Sequence, residues 1–392
     1  MSLNFDGVGR EQLDRPTSRK WSLNPGSIGA WVAEMDFGTA PVVQEAIAAA
    51  VRDQVYGYLT PSIAGEAAEA TSDWYAAEYG WRPDPRRIHQ MTDVLSALEI
   101  AVRRFSRPGS AVIVPTPAYM PFLTLPSTLG RPLLQVPGAV EDGRWVLDLD
   151  RLDEAFAAGG GTLVLCNPHN PTGRVFDREE LERLSAVVER HGGLVFADEV
   201  HAPLRFSGQH IPYASLSDVT ASHTVTATSA SKGWNIPGLK AAQLILTNDL
   251  HELEYQADGI GQLHEASTLG VIAATAAYRH GGEWLADVRG YLDRNRLLLA
   301  DLLATEVPEI GFTLPDATYM GWLDCTALDL PEAPAPYFRS HAGVTLTAGA
   351  LCGKGFEQYV RLVFATPTPI LRDMVVSIRD AVSDRRVPAL LA

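Results

Sequence analysis

Lys232 stands in the stretch SASKGWNIPGLK, residues 229–240, just after two small hydroxyl residues and eight positions before a second lysine. An isolated lysine of this kind can be a solvated loop charge. A buried lysine with a lowered pKa, in contrast, is the usual residue for Schiff-base chemistry. The hydroxyls of Ser229 and Ser231 can hold a phosphate, and Lys240 adds positive charge. Together these residues indicate an aldehyde cofactor that carries a phosphate.

Pyridoxal 5′-phosphate needs three further groups around its ring: an anion at the ring nitrogen, a donor to the phenolic oxygen and a platform for the ring face. Asp198 in LVFADEVH can supply the anion, and Asn170 in CNPHNPTGR can be the donor. Tyr119 in PTPAYMPF can stack on the ring, and His201 can support the phenolic oxygen. We therefore predict pyridoxal 5′-phosphate as the cofactor.

A phosphate also favours the N-terminus of a helix, where free backbone N–H groups and the helix dipole act together. Residues 91–105, MTDVLSALEIAVRRF, have apolar residues at helical spacing. Thr92 or Asp93 can cap this helix. The amides of Val94 and Leu95 are then predicted to face the phosphate.

Short apolar or β-branched runs alternate with helical patterns such as residues 178–191, which predicts an α/β domain with a mostly parallel sheet. The runs are residues 111–115, 162–166, 194–197, 224–228 and 243–247.

Polar clusters follow three of these runs directly, at residues 167–173, 198–201 and 229–232. In open sheets of this kind, ligands bind beyond the carboxyl ends of the strands. The three clusters are therefore expected to converge on one edge of the sheet.

The pattern changes from about residue 281, where a long helical stretch is followed by Pro-rich sequence around 327–338. We predict a large cofactor-binding domain over residues 46–280 and a small C-terminal domain over 281–392. Residues 1–45 are expected to pack with the small domain.

The formal charge of −15 disfavours broad electrostatic attraction to nucleic acid or an anionic membrane. The polar N-terminal stretch has no apolar segment long enough for a signal peptide or a membrane span. We expect a cytoplasmic enzyme that acts on small molecules, with no nucleic-acid or membrane partner.

Metal binding is not predicted. The three cysteines, Cys166, Cys325 and Cys352, lie far apart without a zinc-type spacing, as expected for a reduced protein. His169 and His201 have no third ligand at a supporting spacing, and His201 is better interpreted as a hydrogen-bonded residue near the cofactor.

Several stretches together resemble the fold-type I pyridoxal-phosphate enzymes. Among these, they most resemble the MalY/PatB-type carbon–sulfur lyases, often called cystathionine β-lyases, rather than the typical aminotransferases of class I/II. The similarity extends from roughly residue 30 to 375. The stretches are WVAEMDF (31–37), GYLTP (57–61), LCNPHNPTGR (165–174), ADEVHAPL (197–204), SASKGWN (229–235), ATYMGWLD (317–324) and VRLVFATP (360–367).

The resemblance implies a large domain with a mostly parallel seven-stranded sheet and a smaller α/β C-terminal domain. Lys232 matches the Schiff-base lysine, and Arg361 matches the arginine that binds the α-carboxylate of the substrate. Tyr58 resembles a tyrosine that reaches the phosphate from the neighbouring subunit. This match implies a homodimer whose active site is shared between subunits.

The remaining family positions are also filled. Asp198 matches the partner of the ring nitrogen, and Asn170 and His201 match the residues near the phenolic oxygen. The phosphate positions are matched by Ser229, Ser231 and Lys240.

Three residues depart from the family pattern. Asp93 stands where glycine is common before the phosphate amides, and its carboxylate would repel phosphate unless it caps the helix. Glu34 replaces the aspartate that is usual in this stretch, and Lys240 stands where many aminotransferases have arginine.

The implied activity is β-elimination from L-cystathionine or a related S-substituted cysteine, which yields a thiol, pyruvate and ammonia. The alternative is an aminotransferase of class I/II that acts on an amino acid and a 2-oxo acid, because the same pocket can start both reactions. Some members of this lyase family resemble regulators that bind a transcription factor. A protein-binding role beside catalysis is therefore a further hypothesis.

Overall fold

A computed structural model describes residues 4–259 and 264–384 of the chain. Its strands, numbered in chain order, are β1 (Ile28–Gly29), β2 (Ile88–Met91), β3 (Ala111–Thr116), β4 (Leu133–Pro137), β5 (Ala139–Glu141), β6 (Arg144–Val146), β7 (Gly160–Cys166), β8 (Leu194–Asp198), β9 (Thr224–Thr228), β10 (Ala242–Leu246), β11 (Gly311–Phe312), β12 (Met320–Asp324), β13 (Val344–Thr345), β14 (Thr347–Ala348) and β15 (Tyr359–Val363).

The helices range from single turns to a helix of 25 residues. They are α1 (Arg10–Leu13), α2 (Arg19–Ser22), α3 (Pro41–Arg52), α4 (Pro61–Tyr79), α5 (Val94–Ile100), α6 (Met120–Thr128), α7 (Leu149–Ala157), α8 (Arg178–Arg190), α9 (Asp218–Ser222), α10 (Ala230–Gly233), α11 (Asp249–Asp258), α12 (Thr268–His280), α13 (Gly282–Glu306), α14 (Pro334–Tyr337) and α15 (Thr368–Asp384).

The large sheet has seven strands in the order β2-β10-β9-β8-β7-β3-β4. Adjacent strands from β9 to β4 are parallel, whereas β10 is antiparallel to both of its neighbours. The predicted α/β class with a mostly parallel seven-stranded sheet is confirmed.

Alternate residues of the central strands enter two different hydrophobic cores. Val164 and Phe196 lie in one core, while Leu163 and Val195 lie in the other. Because side chains of a strand point alternately to the two faces, the sheet is covered on both sides. This burial explains why these strands appear in the sequence as continuous apolar runs.

The predicted runs correspond to β3, β7, β8, β9 and β10, and the helical pattern at 178–191 corresponds to α8. The sequence patterns do not reveal β2 and β4. Both lie at the edges of the sheet, and β4 is only partly buried along most of its length, so neither has a continuous apolar pattern.

A smaller four-stranded sheet in the C-terminal part has the order β11-β12-β15-β14. The N-terminal segment joins this part, because β1 pairs in parallel with β13 through Ile28 and Val344. This pairing carries residues 30–37 towards the carboxyl edge of the large sheet. The domain boundaries stay a prediction.

Within residues 4–259 and 264–384, we find no helix that is long and apolar enough to cross a membrane.

Candidate active site

A cavity of about 360 Å³ lies beyond the carboxyl ends of the central strands. It brings together all the predicted site residues except Tyr58. Those that line it are Val94, Leu95, Tyr119, Asn170, Asp198, His201, Ser229, Ser231, Lys232, Lys240 and Arg361.

Lys232 lies in α10, the short helix that follows β9. Its Nζ donates a hydrogen bond of 2.9 Å to the carbonyl oxygen of Ala33. Burial, helped by the positive charge of Arg361, lowers the pKa of the Lys232 amine to about 8. A larger fraction of this amine is therefore unprotonated near neutral pH than for an ordinary lysine.

Ser229 caps α10, since its hydroxyl accepts a hydrogen bond of 3.0 Å from the amide of Ser231. The same hydroxyl donates to the carbonyl oxygen of Ala241 at 2.6 Å. Ser229 therefore fixes the turn that presents Ser231 and Lys232 to the cavity, in addition to lining the cavity itself.

Helix α5 begins at Val94, with Asp93 as its N-cap. One carboxylate oxygen of Asp93 accepts hydrogen bonds of 3.0 Å from the amide and hydroxyl of Ser96. The other oxygen lies 3.0 Å from Nζ of Lys240. Although burial opposes ionisation, these hydrogen bonds lower the pKa of the Asp93 carboxyl.

Asp198 ends β8 and is 3% exposed. Its Oδ1 accepts a hydrogen bond of 3.1 Å from the amide of Val200. Burial, opposed by this bond and helped by the charge of Glu199, raises the pKa of the Asp198 carboxyl to about 7. A buried carboxylate of this kind favours a cationic partner.

Arg361 in β15 and Asn170 in the loop after β7 meet in the cavity. Nη1 of Arg361 donates to Oδ1 of Asn170 at 3.1 Å. Nη2 donates to the carbonyl oxygen of Trp31 at 3.0 Å and to the hydroxyl of Thr347 at 3.3 Å. These contacts hold the guanidinium plane in place, as an anion-binding arginine requires.

His201 and Tyr119 complete the predicted set of cofactor contacts. Burial lowers the pKa of His201 well below its usual range, so this imidazole is neutral at neutral pH. Burial raises the pKa of the Tyr119 hydroxyl. Both rings contribute to the cavity wall.

The backbone of residues 31–36 also contributes to the site, which the sequence patterns do not indicate. The carbonyl oxygen of Ala33 accepts hydrogen bonds from Lys232 and from the hydroxyl of Tyr319, each at 2.9 Å. The amide of Met35 donates to Oδ1 of Asn235 at 2.9 Å. The stretch WVAEMDF thus contacts SASKGWN directly, and this joint occurrence was the available signal.

A buried ion pair fixes the same segment. Nζ of Lys20 lies 2.8 Å from Oδ2 of Asp36, and the two side chains are 1% and 3% exposed. Nε1 of Trp21 donates to Oδ1 of Asp36 at 2.8 Å, and Nζ of Lys20 also donates to the carbonyl oxygen of Glu34 at 3.3 Å. The side-chain charge of Glu34 favours the protonated form of Lys232.

Tyr58 is the predicted site residue that lies outside the cavity. It precedes α4, and 90% of its surface is exposed. Its expected contact with the phosphate of a second subunit stays a prediction.

The lining residues fit pyridoxal phosphate. An amine with a lowered pKa, a buried carboxylate and a helix N-terminus lie around one cavity of a size suited to a small ligand. In addition, Nδ1 of His201 and Nε of Arg361 are buried without a hydrogen-bond partner among the described residues. Such buried nitrogens normally have a hydrogen-bond partner, and a ligand in this cavity could provide one.

Histidines, cysteines and carboxylates do not form a group of three or more that could hold a metal ion within residues 4–259 and 264–384. His169 instead stacks on Trp145 at a ring-centroid distance of 4.1 Å.

Comparison with known proteins agrees with this arrangement. The chain is 36% identical over 366 residues to a cystathionine beta-lyase of Corynebacterium glutamicum, covering 93% of this chain and 96% of the relative. It is 34% identical to the cystathionine beta-lyase PatB of Bacillus subtilis, covering 97% and 100%.

The solved structure of cystalysin from Treponema denticola, which contains pyridoxal 5′-phosphate, matches with a TM-score of 0.91 and 26% identity, covering 98% of this chain and 100% of that one. The family model of aminotransferase class I and II matches residues 32–377. Because this model covers most of the chain, including most of the residues that line the cavity beyond the large sheet, the chain belongs to the class I and II aminotransferase family.

Proposed function

We propose that this protein is a pyridoxal-phosphate-dependent carbon–sulfur β-lyase that cleaves L-cystathionine or a related S-substituted cysteine. The observation that carries this proposal is a single cavity that holds Lys232, Asp198 and Arg361. The names of the relatives support a lyase over the alternative aminotransferase.

In this proposal, separate residues of the cavity would hold each part of the cofactor. The amides at the start of α5, with Ser229, Ser231 and Lys240, would bind the phosphate. Asp198 would pair with the ring nitrogen, Asn170 and His201 would contact the phenolic oxygen, and Tyr119 would pack on the ring. When bound, pyridoxal phosphate supplies an electron sink that stabilises negative charge at the α-carbon of the substrate.

Arg361 captures and orients the substrate. Its guanidinium binds the α-carboxylate, while Asn170 and the carbonyl oxygen of Trp31 keep its plane fixed. The orientation of the α-carboxylate directs the α-hydrogen towards Lys232. Correct placement of reacting groups is a large part of catalysis in such sites.

Lys232 moves the proton. Its unprotonated amine removes the α-proton, and the lowered pKa of about 8 matches this role near neutral pH. The carbonyl oxygen of Ala33 lies 2.9 Å from Nζ in this structure. It can accept a hydrogen bond from Lys232 between removal of the α-proton and its return to the thiolate.

The substituent on the β-carbon of the substrate determines which reaction follows removal of the α-proton. When it carries sulfur, the carbon–sulfur bond breaks, its electron pair leaves with the sulfur, and the ammonium of Lys232 returns the proton to the departing thiolate. The released 2-aminoacrylate adds water and yields pyruvate and ammonia. No outside oxidant or 2-oxo acid is required.

We further propose a cytoplasmic homodimer. The exposed Tyr58 suits a contact with the phosphate of a second subunit. The cysteines of the described residues are free and buried, as in a protein of a reducing compartment.

The test incubates cofactor-loaded protein with L-cystathionine and no 2-oxo acid, and measures pyruvate and free thiol. Equal amounts of both products over many turnovers are expected. The variant Lys232→Ala should lose turnover, whereas Lys354→Ala, a change at an exposed lysine outside the cavity lining, should retain it. A single conversion of the cofactor to its amine form without thiol release would instead identify an aminotransferase.

A further inference from the structure

The cavity has the opposite charge balance to the chain. Four cationic side chains line it, namely Arg19, Lys232, Lys240 and Arg361, against the two carboxylates of Asp93 and Asp198. The whole chain carries a formal charge of −15. An anionic substrate is therefore disfavoured by the protein as a whole and attracted by this cavity.

Three of the four cations already have a partner or a task. Lys240 pairs with Asp93, Arg361 is hydrogen-bonded to Asn170, and Lys232 contacts the carbonyl oxygen of Ala33. Among residues 4–259 and 264–384, the guanidinium of Arg19 has no hydrogen bond or ion pair. It is the cavity cation to which the proposed reaction gives no role.

The backbone next to Arg19 is held in place by the contacts of Lys20. Arg19 begins α2, whose next residue, Lys20, forms the buried ion pair with Asp36. The carbonyl oxygen of Lys20 accepts a hydrogen bond of 2.9 Å from Nε1 of Trp31. Because the carbonyl oxygen of Trp31 accepts from Arg361, Trp31 links the backbone beside Arg19 to the site of the α-carboxylate.

We propose that Arg19 is a specificity residue that binds a carboxylate on the sulfur substituent of the substrate. This inference rests on the proposed function. The planar guanidinium matches a carboxylate in two parallel hydrogen bonds. Arg361 then holds the α-carboxylate, and Arg19 holds the carboxylate at the far end of a thioether such as L-cystathionine.

The size of the effect follows from the exposure of Arg19. Exposed ion pairs are weak because water screens them, so removal of this contact should change specificity by about fivefold rather than abolish turnover. The loss should appear in KM, since the contact is remote from the bonds that break.

The first test compares S-carboxyethyl-L-cysteine with S-propyl-L-cysteine, which are similar in size and differ in charge. Arg19→Gln should lower kcat/KM for the carboxyethyl substrate about fivefold and leave the propyl substrate unchanged. Arg19→Lys should restore part of the preference. The control, Arg15→Gln, removes the same charge from an exposed position outside the cavity lining and should change neither value.

A second test measures binding without turnover. Thiodipropionate and propylthiopropionate lack an amino group and differ in one terminal carboxylate. Calorimetry with cofactor-loaded wild type should show tighter binding of thiodipropionate, and Arg19→Gln should remove that difference.

An equal effect of Arg19→Gln on both members of each pair, or no effect, would overturn the inference. If wild type releases no thiol from either cysteine derivative, the proposed lyase function fails, and the calorimetric comparison still decides the role of Arg19.

Discussion

Lys240 and Asp93 form an ion pair, with 3.0 Å between Nζ and Oδ2, at the N-terminus of α5. The sequence placed a carboxylate where phosphate is expected, and the structure shows that this carboxylate also caps the helix through Ser96. Lys240, which is expected to bind the phosphate, therefore also pairs with the carboxylate of Asp93.

Replacement of Asp93 by Asn should strengthen cofactor binding. The amide oxygen of Asn can still cap α5, while the like charge is lost and Lys240 is released. We expect the Kd for pyridoxal phosphate to fall about fivefold, which corresponds to about 1 kcal/mol. Equilibrium dialysis measures this change. Glu99→Gln is the control, because Glu99 lies on α5 but pairs with Arg103. Weaker binding in Asp93→Asn would contradict the expectation.

The unfolding free energy of the apoprotein should depend on pH through the titration of Asp198. Its pKa is raised to about 7, whereas an unfolded aspartate titrates near about 3.9. Between these values the folded state binds the extra proton, so this carboxyl makes stability fall as pH rises from about 4 to 7. Asp198→Asn should therefore gain about 2 kcal/mol in unfolding free energy relative to wild type between about pH 5 and 8.

Urea unfolding of both apoproteins across this range measures the difference, and curves that stay parallel would exclude the raised pKa. Bound cofactor should reduce the pH dependence, because its protonated ring nitrogen stabilises the Asp198 carboxylate.

Sequence patterns located the residues that follow strongly apolar strands. Asp198 is the last residue of β8, and Lys232 and Asn170 follow the ends of β9 and β7. The topology of a parallel sheet therefore sufficed to bring them together. The N-cap at Asp93 could also be predicted from the sequence, because capping depends only on residues within one helix turn.

The remaining contacts depend on the path of a distant backbone. Ala33 is 199 residues from Lys232, and Trp31 is 330 residues from Arg361. Carbonyl oxygens carry no residue-specific pattern, so the sequence does not mark them. Arg19 was missed for a related reason, since its place at the cavity depends on the ion pair between Lys20 and Asp36.

That ion pair should be important for stability. Lys20→Met would leave the Asp36 carboxylate buried with Trp21 as its remaining side-chain donor, and we expect a loss of about 3–5 kcal/mol in unfolding free energy. Denaturant unfolding measures it. The matched control is Arg52→Gln, because the Arg52–Glu45 pair is 62% and 70% exposed and water screens it, so its loss should change the unfolding free energy far less. Equal losses in the two variants would contradict the assigned importance of burial.

Tyr58 should act across a dimer interface. We expect light scattering to give a dimer mass, and Tyr58→Phe to weaken cofactor binding about fivefold through loss of one hydrogen bond to phosphate. The neighbouring Tyr56→Phe is the control, because its hydroxyl donates to the carbonyl oxygen of Val51 in its own chain. A monomer with full activity would exclude the proposed role.

The segment at residues 31–33 accepts hydrogen bonds from both halves of the chain. Trp31 receives one from Arg361 in the small sheet, and Ala33 receives one from Lys232 beside the large sheet. In the proposed mechanism, Arg361 binds the substrate and Lys232 moves the proton. A shift of the backbone at residues 31–33 would alter the hydrogen bonds of both side chains at once. A change in the backbone of residues 31–33 would therefore weaken substrate binding and proton transfer together.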